Sequence, residues 1–335
     1  MRCAARVVLA SAALFFAGCG EKEEPDAGGG ELARFDLALD FLVNPDHAGI
    51  YTGLESGYFE DAGLDVRPRV PSDPSAPIKQ VAAGQVDLAI SYEPEVLLAR
   101  NQGLDVIAVA ALVHGPLTSL ISLPEGGVEE PADLADKTVI TAGIPYQDAY
   151  LDTILRRAGV PDDQVDRVDV GFNLQAPLIA GRADASLGGF LNVEGVDLAE
   201  KGLNPRVVPV DELGIPTYDE LVLVADADRL EEDPAEIEAF IDALERGTDA
   251  AIEDPGAATD ALVAADDGLD PALTRAQVEK TLPLLAAPKR KPFGYMDPAQ
   301  WEGFTAFLAD QGQIDTRPVI ADVLTNELLP GELGK

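Results

Sequence analysis

Cysteine is nearly missing from this chain of 335 residues: Cys3 and Cys19 are the only two, and both lie in the first nineteen positions. Whatever folds beyond Cys19 therefore has no disulfide, no thiolate metal site and no cysteine nucleophile. Histidine is equally scarce, with His47 and His114 alone. No acid stands at ligand spacing beside them and no H-E-x-x-H occurs, so no metal is expected. G-x-G-x-x-G and G-x-x-x-x-G-K-[ST] are absent as well, which removes the usual signs of dinucleotide or nucleoside triphosphate binding. Basic residues are few: 24 Lys and Arg stand against 60 Asp and Glu, a formal net charge of -36. That balance repels nucleic acid and anionic headgroups. Its scattered acidic pairs, such as Glu129-Glu130 and Asp266-Asp267, resemble a solvated coat.

The apolar run Val7 to Ala17, behind Arg2 and Arg6, is too short to span a bilayer and has the layout of a secretory signal. It ends in Phe16-Ala-Gly-Cys19, which resembles a bacterial lipoprotein cleavage site with Phe in place of the usual Leu. Residues 1–18 are thus expected to be a signal peptide and Cys19 the lipidated first residue. Residues 19–33, charged and Gly-rich, are expected to be a flexible tether.

The remaining length suits two domains, and the chain repeats itself. Pro77-Ile-Lys-Gln-Val-Ala-Ala-Gly84-Gln-Val-Asp87 and Pro177-Leu-Ile-Ala-Gly181-Arg-Ala-Asp184 each close a short helix with Gly and open a strand with Asp. Strands are expected at Phe35–Leu42, Val106–Val113 and Ser119–Leu123, with helices from His47 to Ser56, capped by Asp46, from Pro77 and from Pro94 to Gln102. After the turn-rich Glu125 to Pro131, strands follow at 138–142, 168–170, 184–187 and 205–210, with a helix at 147–158. Leu221 to Ala225 returns to the first half, and helices at 234–252, 271–285, 298–308 and 318–329 complete it. The expected fold class is α/β, with lobe one formed by 34–123 and 217–335 and lobe two by 124–216. Two crossings, near 123 and 217, make a paired hinge.

Ligands of open α/β sheets bind beyond the carboxyl ends of the strands. The residues there are rings (Phe41, Tyr51, Tyr92, Tyr146, Phe190), carboxylates (Glu93, Glu194), amides (Asn44, Asn173, Asn192), Ser91, the small Gly189 and the two histidines. Turn and capping roles compete at Asn44, Glu93 and Glu194. No Arg or Lys is among them, so an anion would lack its usual partner. A flat, neutral or weakly basic heterocycle with an exocyclic amine suits the set: rings stack on its faces and a carboxylate accepts from its amine.

Asn44-Pro-Asp-His47, Gly57-Tyr-Phe, Asp73-Pro-Ser-Ala-Pro77, Ala89-Ile-Ser-Tyr-Glu-Pro-Glu95, Gly171-Phe-Asn-Leu, Gly188-Gly-Phe-Leu-Asn-Val-Glu-Gly195, Met296 to Trp301 and Thr325-Asn-Glu-Leu-Leu-Pro330 together resemble the SsuA/ThiY-like solute-binding lipoproteins of ABC transporters. The resemblance covers about residues 35 to 330 and is nearest to proteins for thiamine-pyrimidine precursors. It implies a type 2 periplasmic-binding-protein fold, a monomer held in the cell envelope through Cys19, either on the outer face of the cytoplasmic membrane or facing the periplasm, and delivery of formylaminopyrimidine or hydroxymethylpyrimidine to a membrane permease. No cofactor is implied. By the same resemblance, Glu194 and Asn192 read the polar edge, Tyr92 and Phe190 form walls, and Asn44 with His47 is the counterpart on lobe one. Phe41 stands where many relatives carry Trp. Relatives also take up riboflavin or sulfonates, and eukaryotic ones make the thiamine pyrimidine with a cysteine-rich motif that this chain lacks. A structural or adhesive lipoprotein is the remaining reading; it would lack a closable aromatic pocket.

Overall fold

The computed structural model describes residues 32–331, so the expected signal peptide, Cys19 and nearly all of the tether lie outside the described residues. The first sheet has the order β2-β1-β3-β10-β4, built from β1 (Ala33–Ala38), β2 (Leu64–Arg69), β3 (Leu88–Ser91), β4 (Val106–Val113) and β10 (Leu221–Asp226). β1 runs parallel to β2 and β3, and β10 runs antiparallel between β3 and β4. The second sheet repeats the plan as β7-β6-β8-β5-β9, from β5 (Thr118–Ser122), β6 (Lys137–Thr141), β7 (Val165–Asp169), β8 (Ala185–Phe190) and β9 (Arg206–Pro209). β6 is parallel to β7 and β8, and β5 is antiparallel to β8 and β9.

Short helices punctuate both halves: α1 (Ala48–Glu55), α2 (Tyr58–Asp61), α3 (Pro77–Ala82) and α4 (Glu93–Asn101), then α5 (Pro145–Ala158), α6 (Ala176–Ile179) and α7 (Glu194–Glu200). The last third adds α8 (Ala227–Glu232), α9 (Pro234–Glu253), α10 (Pro255–Ala265), α11 (Pro271–Leu285) and α12 (Pro298–Asp310). An Asp-Pro pair opens each of the last four. Proline needs no N–H at the first helical position, and Asp254, Asp270 and Asp297 accept from the next free amides. Gly84 and Gly181, the repeated helix closers, both take positive φ, at 63° and 62°.

Four expectations are corrected. β1 ends at Ala38 rather than Leu42, and it starts at Ala33, inside the span read as tether. Asp46 does not cap the first helix: α1 has no side-chain cap, and Asn44 instead caps the 3-10 turn over Pro45–His47 that leads into it, its Oδ1 accepting from Asp46 N at 2.8 Å. The strand read at Ser119–Leu123 as part of the first half-sheet is β5 of the second. Leu117 already belongs there, because its carbonyl accepts from Leu191 N at 3.0 Å, so the chain changes sheets between Val113 and Thr118. Finally, 318–329 is not a helix. Apart from one 3-10 turn (Ile320–Asp322), it runs beside β4: Ala108 N donates to Val323 O and Thr325 N donates to Ala108 O, each at 2.9 Å. β4 is an edge strand, and a tail laid along it covers exposed ladder groups.

The two passages between sheets meet at Glu220, immediately before β10. Its fully buried carboxylate accepts from Leu117 N at 2.6 Å, Thr118 N at 2.7 Å, Thr118 Oγ1 at 2.8 Å and Tyr218 OH at 2.9 Å. One side chain thereby fastens both crossings to each other.

In the first lobe, α1 crosses α9 through small residues. A Cβ on Gly247 would strike the carbonyl oxygen of Gly49 and the Cα of Gly53, both backbone, whereas one on Gly303 of α12 would meet nothing within 4 Å. Removing glycine from a helix interior normally gains about 0.5–1 kcal/mol, and overpacking costs about 1–3 kcal/mol. Urea denaturation should therefore show Gly303→Ala stabilised by about 0.5–1 kcal/mol and Gly247→Ala destabilised by about 1–2 kcal/mol.

Candidate functional site

Both lobes contribute to one cavity at the strand ends, with about 350 Å³ of atom-free space counting its open mouth. From the first lobe come Asp40, Phe41, Asn44 and Tyr92. From the second come the apolar Ala142, Ile144, Leu174 and Val193, the rings Tyr146 and Phe190, and Gln147, Gly188 and Glu194.

Asp40 anchors the first-lobe side. Its Oδ1 lies 2.8 Å from His47 Nε2, and its Oδ2 accepts from Tyr92 OH at 3.0 Å. Asn44 N donates to His47 Nδ1 at 3.3 Å, which leaves the imidazole proton on Nε2, facing Asp40. The cap made by Asn44 thus turns the His47 ring back onto the carboxylate. His47 is fully buried behind the cavity wall and orients Asp40 instead of lining the space. The sequence alone does not single out Asp40; its available signal is an acid just past a strand, next to Phe41.

The rings meet across the cleft. Tyr92 lies 5.3 Å from Tyr146 and 6.4 Å from Phe190, and Phe41 meets Phe172 edge-on at 4.8 Å. Tyr146 OH is 3.3 Å from Thr118 Oγ1, which ties that wall to the hinge. On the second-lobe side, Glu194 Oε2 accepts from Phe190 N at 2.7 Å. Gly188 and Gly189 leave room for their neighbours: a Cβ on the first would hit the Gln147 amide, and one on the second would press on Ile121 and Glu194. Gln147, which the sequence alone does not single out, is fixed by accepting from Ala142 N at 2.8 Å.

Six expected residues, Phe41, Asn44, Tyr92, Tyr146, Phe190 and Glu194, thus line one cavity, with Gly189 packed behind Glu194. The others lie elsewhere. Ser91 Oγ donates to Glu95 Oε2 at 2.6 Å. Glu93 accepts from Asp219 N at 2.7 Å and from Gln300, on the hinge side. His114 Nδ1 is 3.2 Å from Asp219 Oδ1, and it borders a separate cavity with Pro116 and Thr217. Tyr51 is half-buried on α1, its hydroxyl pushed up to about 12 by burial and by Asp266. Asn173 is exposed, and its neighbour Leu174 takes the place in the wall. Asn192 is fully buried, its amide turned to Asp46 and Thr281.

Residues 44–258 match the family described as NMT1/THI5 like. The chain belongs to this family. It is 34% identical over 319 residues to the formylaminopyrimidine-binding protein of Halalkalibacterium halodurans, covering 94% of this chain and 96% of the relative. It is also 34% identical to a putative thiamine biosynthesis protein of Haemophilus influenzae, over 84% of this chain and 88% of the other. Among solved structures, the alkanesulfonate-binding protein SsuA of Xanthomonas axonopodis pv. citri, bound to MOPS, superposes with a TM-score of 0.70 at 15% identity, covering 89% of this chain and all of that one. Likeness at that identity establishes the fold, which is the type 2 periplasmic-binding-protein architecture. In this family member the cavity walls hold two carboxyl groups, Asp40 and Glu194, and no Lys or Arg.

Burial pushes the carboxyls of Glu95, Glu194 and Glu220 up to about 7 each, although hydrogen bonds from Ser91, Phe190 N and Thr118 work against it. An unfolded-chain Glu titrates near about 4.3. Between that value and about 7 the folded state therefore holds protons that the unfolded state has released, and stability declines as pH rises through the interval. Thermal melts of the ligand-free protein should give a lower Tm at about pH 8 than at about pH 5. A Tm that climbs across this range would contradict the assignment.

Proposed function

We propose that this protein is the substrate-capturing component of an ABC importer, closing its two lobes on a thiamine-pyrimidine precursor such as formylaminopyrimidine or hydroxymethylpyrimidine. The observation that carries this reading is a ring-walled cavity whose only charged groups are the acids Asp40 and Glu194. Tyr92, Tyr146 and Phe190 offer faces and edges to a flat heterocycle. The Glu194 carboxyl, fixed through one oxygen by Phe190 N, turns its other oxygen to an exocyclic amine. A hydrogen bond to a charged group is worth about 1.5–3 kcal/mol.

A sulfonate reading fits this cavity poorly, because an anion would face two carboxyl groups and meet no guanidinium or ammonium. Capture rather than synthesis is further supported by the sequence, since Cys3 and Cys19 leave no thiol in the described body. A small-molecule guest and a transport partner accord with the fold, and so does a place in the cell envelope. We extend this to a lipid anchor at Cys19 and to delivery of the guest to a membrane permease. The lobes are assigned as the two sheets with their helices, joined at Glu220.

Titration calorimetry with hydroxymethylpyrimidine should show tight, saturable binding. Glu194→Gln should keep its melting transition yet weaken affinity by about 1–3 kcal/mol, roughly 5- to 150-fold. Unchanged affinity in that variant would remove Glu194 from the site. Heat with riboflavin and none with the pyrimidine would replace the ligand.

A further inference from the structure

Asn192 lies between β8 and α7 on the second lobe, yet its side chain is bonded wholly to first-lobe groups. Its Nδ2 donates to Asp46 Oδ1 and to Thr281 Oγ1, each at 2.8 Å. Thr281 sits on α11, which packs on α10 and on the turn carrying Asp46. Asn192 Oδ1 and Asp46 Oδ2 are both buried and both lack a partner. Each of those atoms is an acceptor, so the pair lacks one hydrogen. Thr281 does not supply it, because its hydroxyl donates to Gln277 O at 2.9 Å.

We propose that Asp46 is a neutral acid whose Oδ2–H donates to Asn192 Oδ1, forming a doubly hydrogen-bonded acid–amide pair that latches the two lobes, and that loss of this proton releases the latch. One hydrogen shared between them would satisfy both orphaned atoms. A second link, Gln277 Nε2 donating to Val193 O at 3.0 Å, lies on the same seam and carries no titratable proton.

The surroundings favour the acid form. Burial holds Asp46 well above the usual carboxylate range, and Asp40, Glu194 and Glu220 push it the same way. Of the packed elements, α11 presents Gln277 and Thr281 while Arg275 and Lys280 are exposed, α10 has Asp260 as its charged residue and exposes it, and α9 presents Leu244 and Thr248. α1 and β4 bring Gly49, Ile50 and Leu112 to the void beside it. His47, the adjacent imidazole, is committed to Asp40. No cation faces Asp46 from these elements, so an ionised carboxylate there would be uncompensated.

Small-angle X-ray scattering of the ligand-free protein separates this latch from the choice of guest, since no ligand is added. The wild type should be compact at about pH 5 and show a larger radius of gyration at about pH 9. Asp46→Asn, whose amide supplies the same donor without a titratable proton, should stay compact at both. Asp46→Ala should be expanded at both. Infrared difference spectra of wild type against Asp46→Asn at neutral pH should contain a protonated-carboxyl band, which reports on Asp46 whatever the overall shape. A wild type of constant radius, an Asp46→Asn that expands with pH as the wild type does, or a difference spectrum with only a carboxylate band would each overturn the proposal.

Discussion

The placement of the two sheets rests on the buried carboxylate of Glu220, which accepts from both passages of the chain between them. Two of its donors are backbone amides of the first crossing, and Tyr218 lies on the second. An unpaired buried donor costs about 1–3 kcal/mol, so each crossing needs the other to satisfy its polar groups. The hinge is thus narrow but defined in register. The strand ends of β1 and β3 consequently face those of β6 and β8, and Tyr92 meets Tyr146 across the gap.

This molecule uses acids where many binding proteins would place bases. Burial raises Asp46, Glu93, Glu95, Glu194 and Glu220 without any nearby cation to oppose it, apart from a minor contribution of Lys79 to Glu95. An acid that retains its proton both donates and accepts, as a neutral amide does, and carries no charge into the interior. Asp40 is handled differently, receiving donors from His47 and Tyr92 on its two oxygens. The first lobe therefore offers a carboxylate set by its donors, and the second offers Glu194, whose proton is exchangeable near neutrality. A guest with an amine edge is suited to both, whereas an anionic one is suited to neither.

Local signals were legible in the sequence wherever the chain answers to its neighbours along the backbone. Pro271–Leu285 and Val106–Val113 match residue for residue, because an Asp-Pro start and an unbroken apolar run leave little choice. The site was legible to the extent that strand-end loops carried rings and acids, which gave Phe41, Tyr92, Tyr146, Phe190 and Glu194. What failed depends on partners distant in sequence. β5 joined the second sheet because Glu220 and Leu191 hold Leu117, more than seventy residues from either. Residues 318–329 have helix-forming composition but lie along an open sheet edge. His47 and Asn192 look like ligand readers until Asp40 and Asp46 are seen to occupy them. Polar residues at strand ends do not declare whether they serve a guest or each other.

Closure and recognition are therefore coupled through adjacent residues of one short segment. Phe190 to Glu194 runs from the end of β8 to the start of α7, with Asn192 and Val193 bonded to the first lobe and Phe190 and Glu194 lining the cavity. A guest shifts a closure equilibrium only by its extra contacts in the closed form. A latch that already favours that form lowers the contribution demanded of the guest, so a small neutral ring with few polar groups suffices. The same geometry limits how far the latch can be strengthened. Because negative charge on Asp40 and Glu194 strengthens the hold on the Asp46 proton, a guest cation that neutralises that charge works against the latch. A cationic guest and the latch then oppose each other within one cluster of acids, and a ring that stays uncharged while donating from an amine satisfies both.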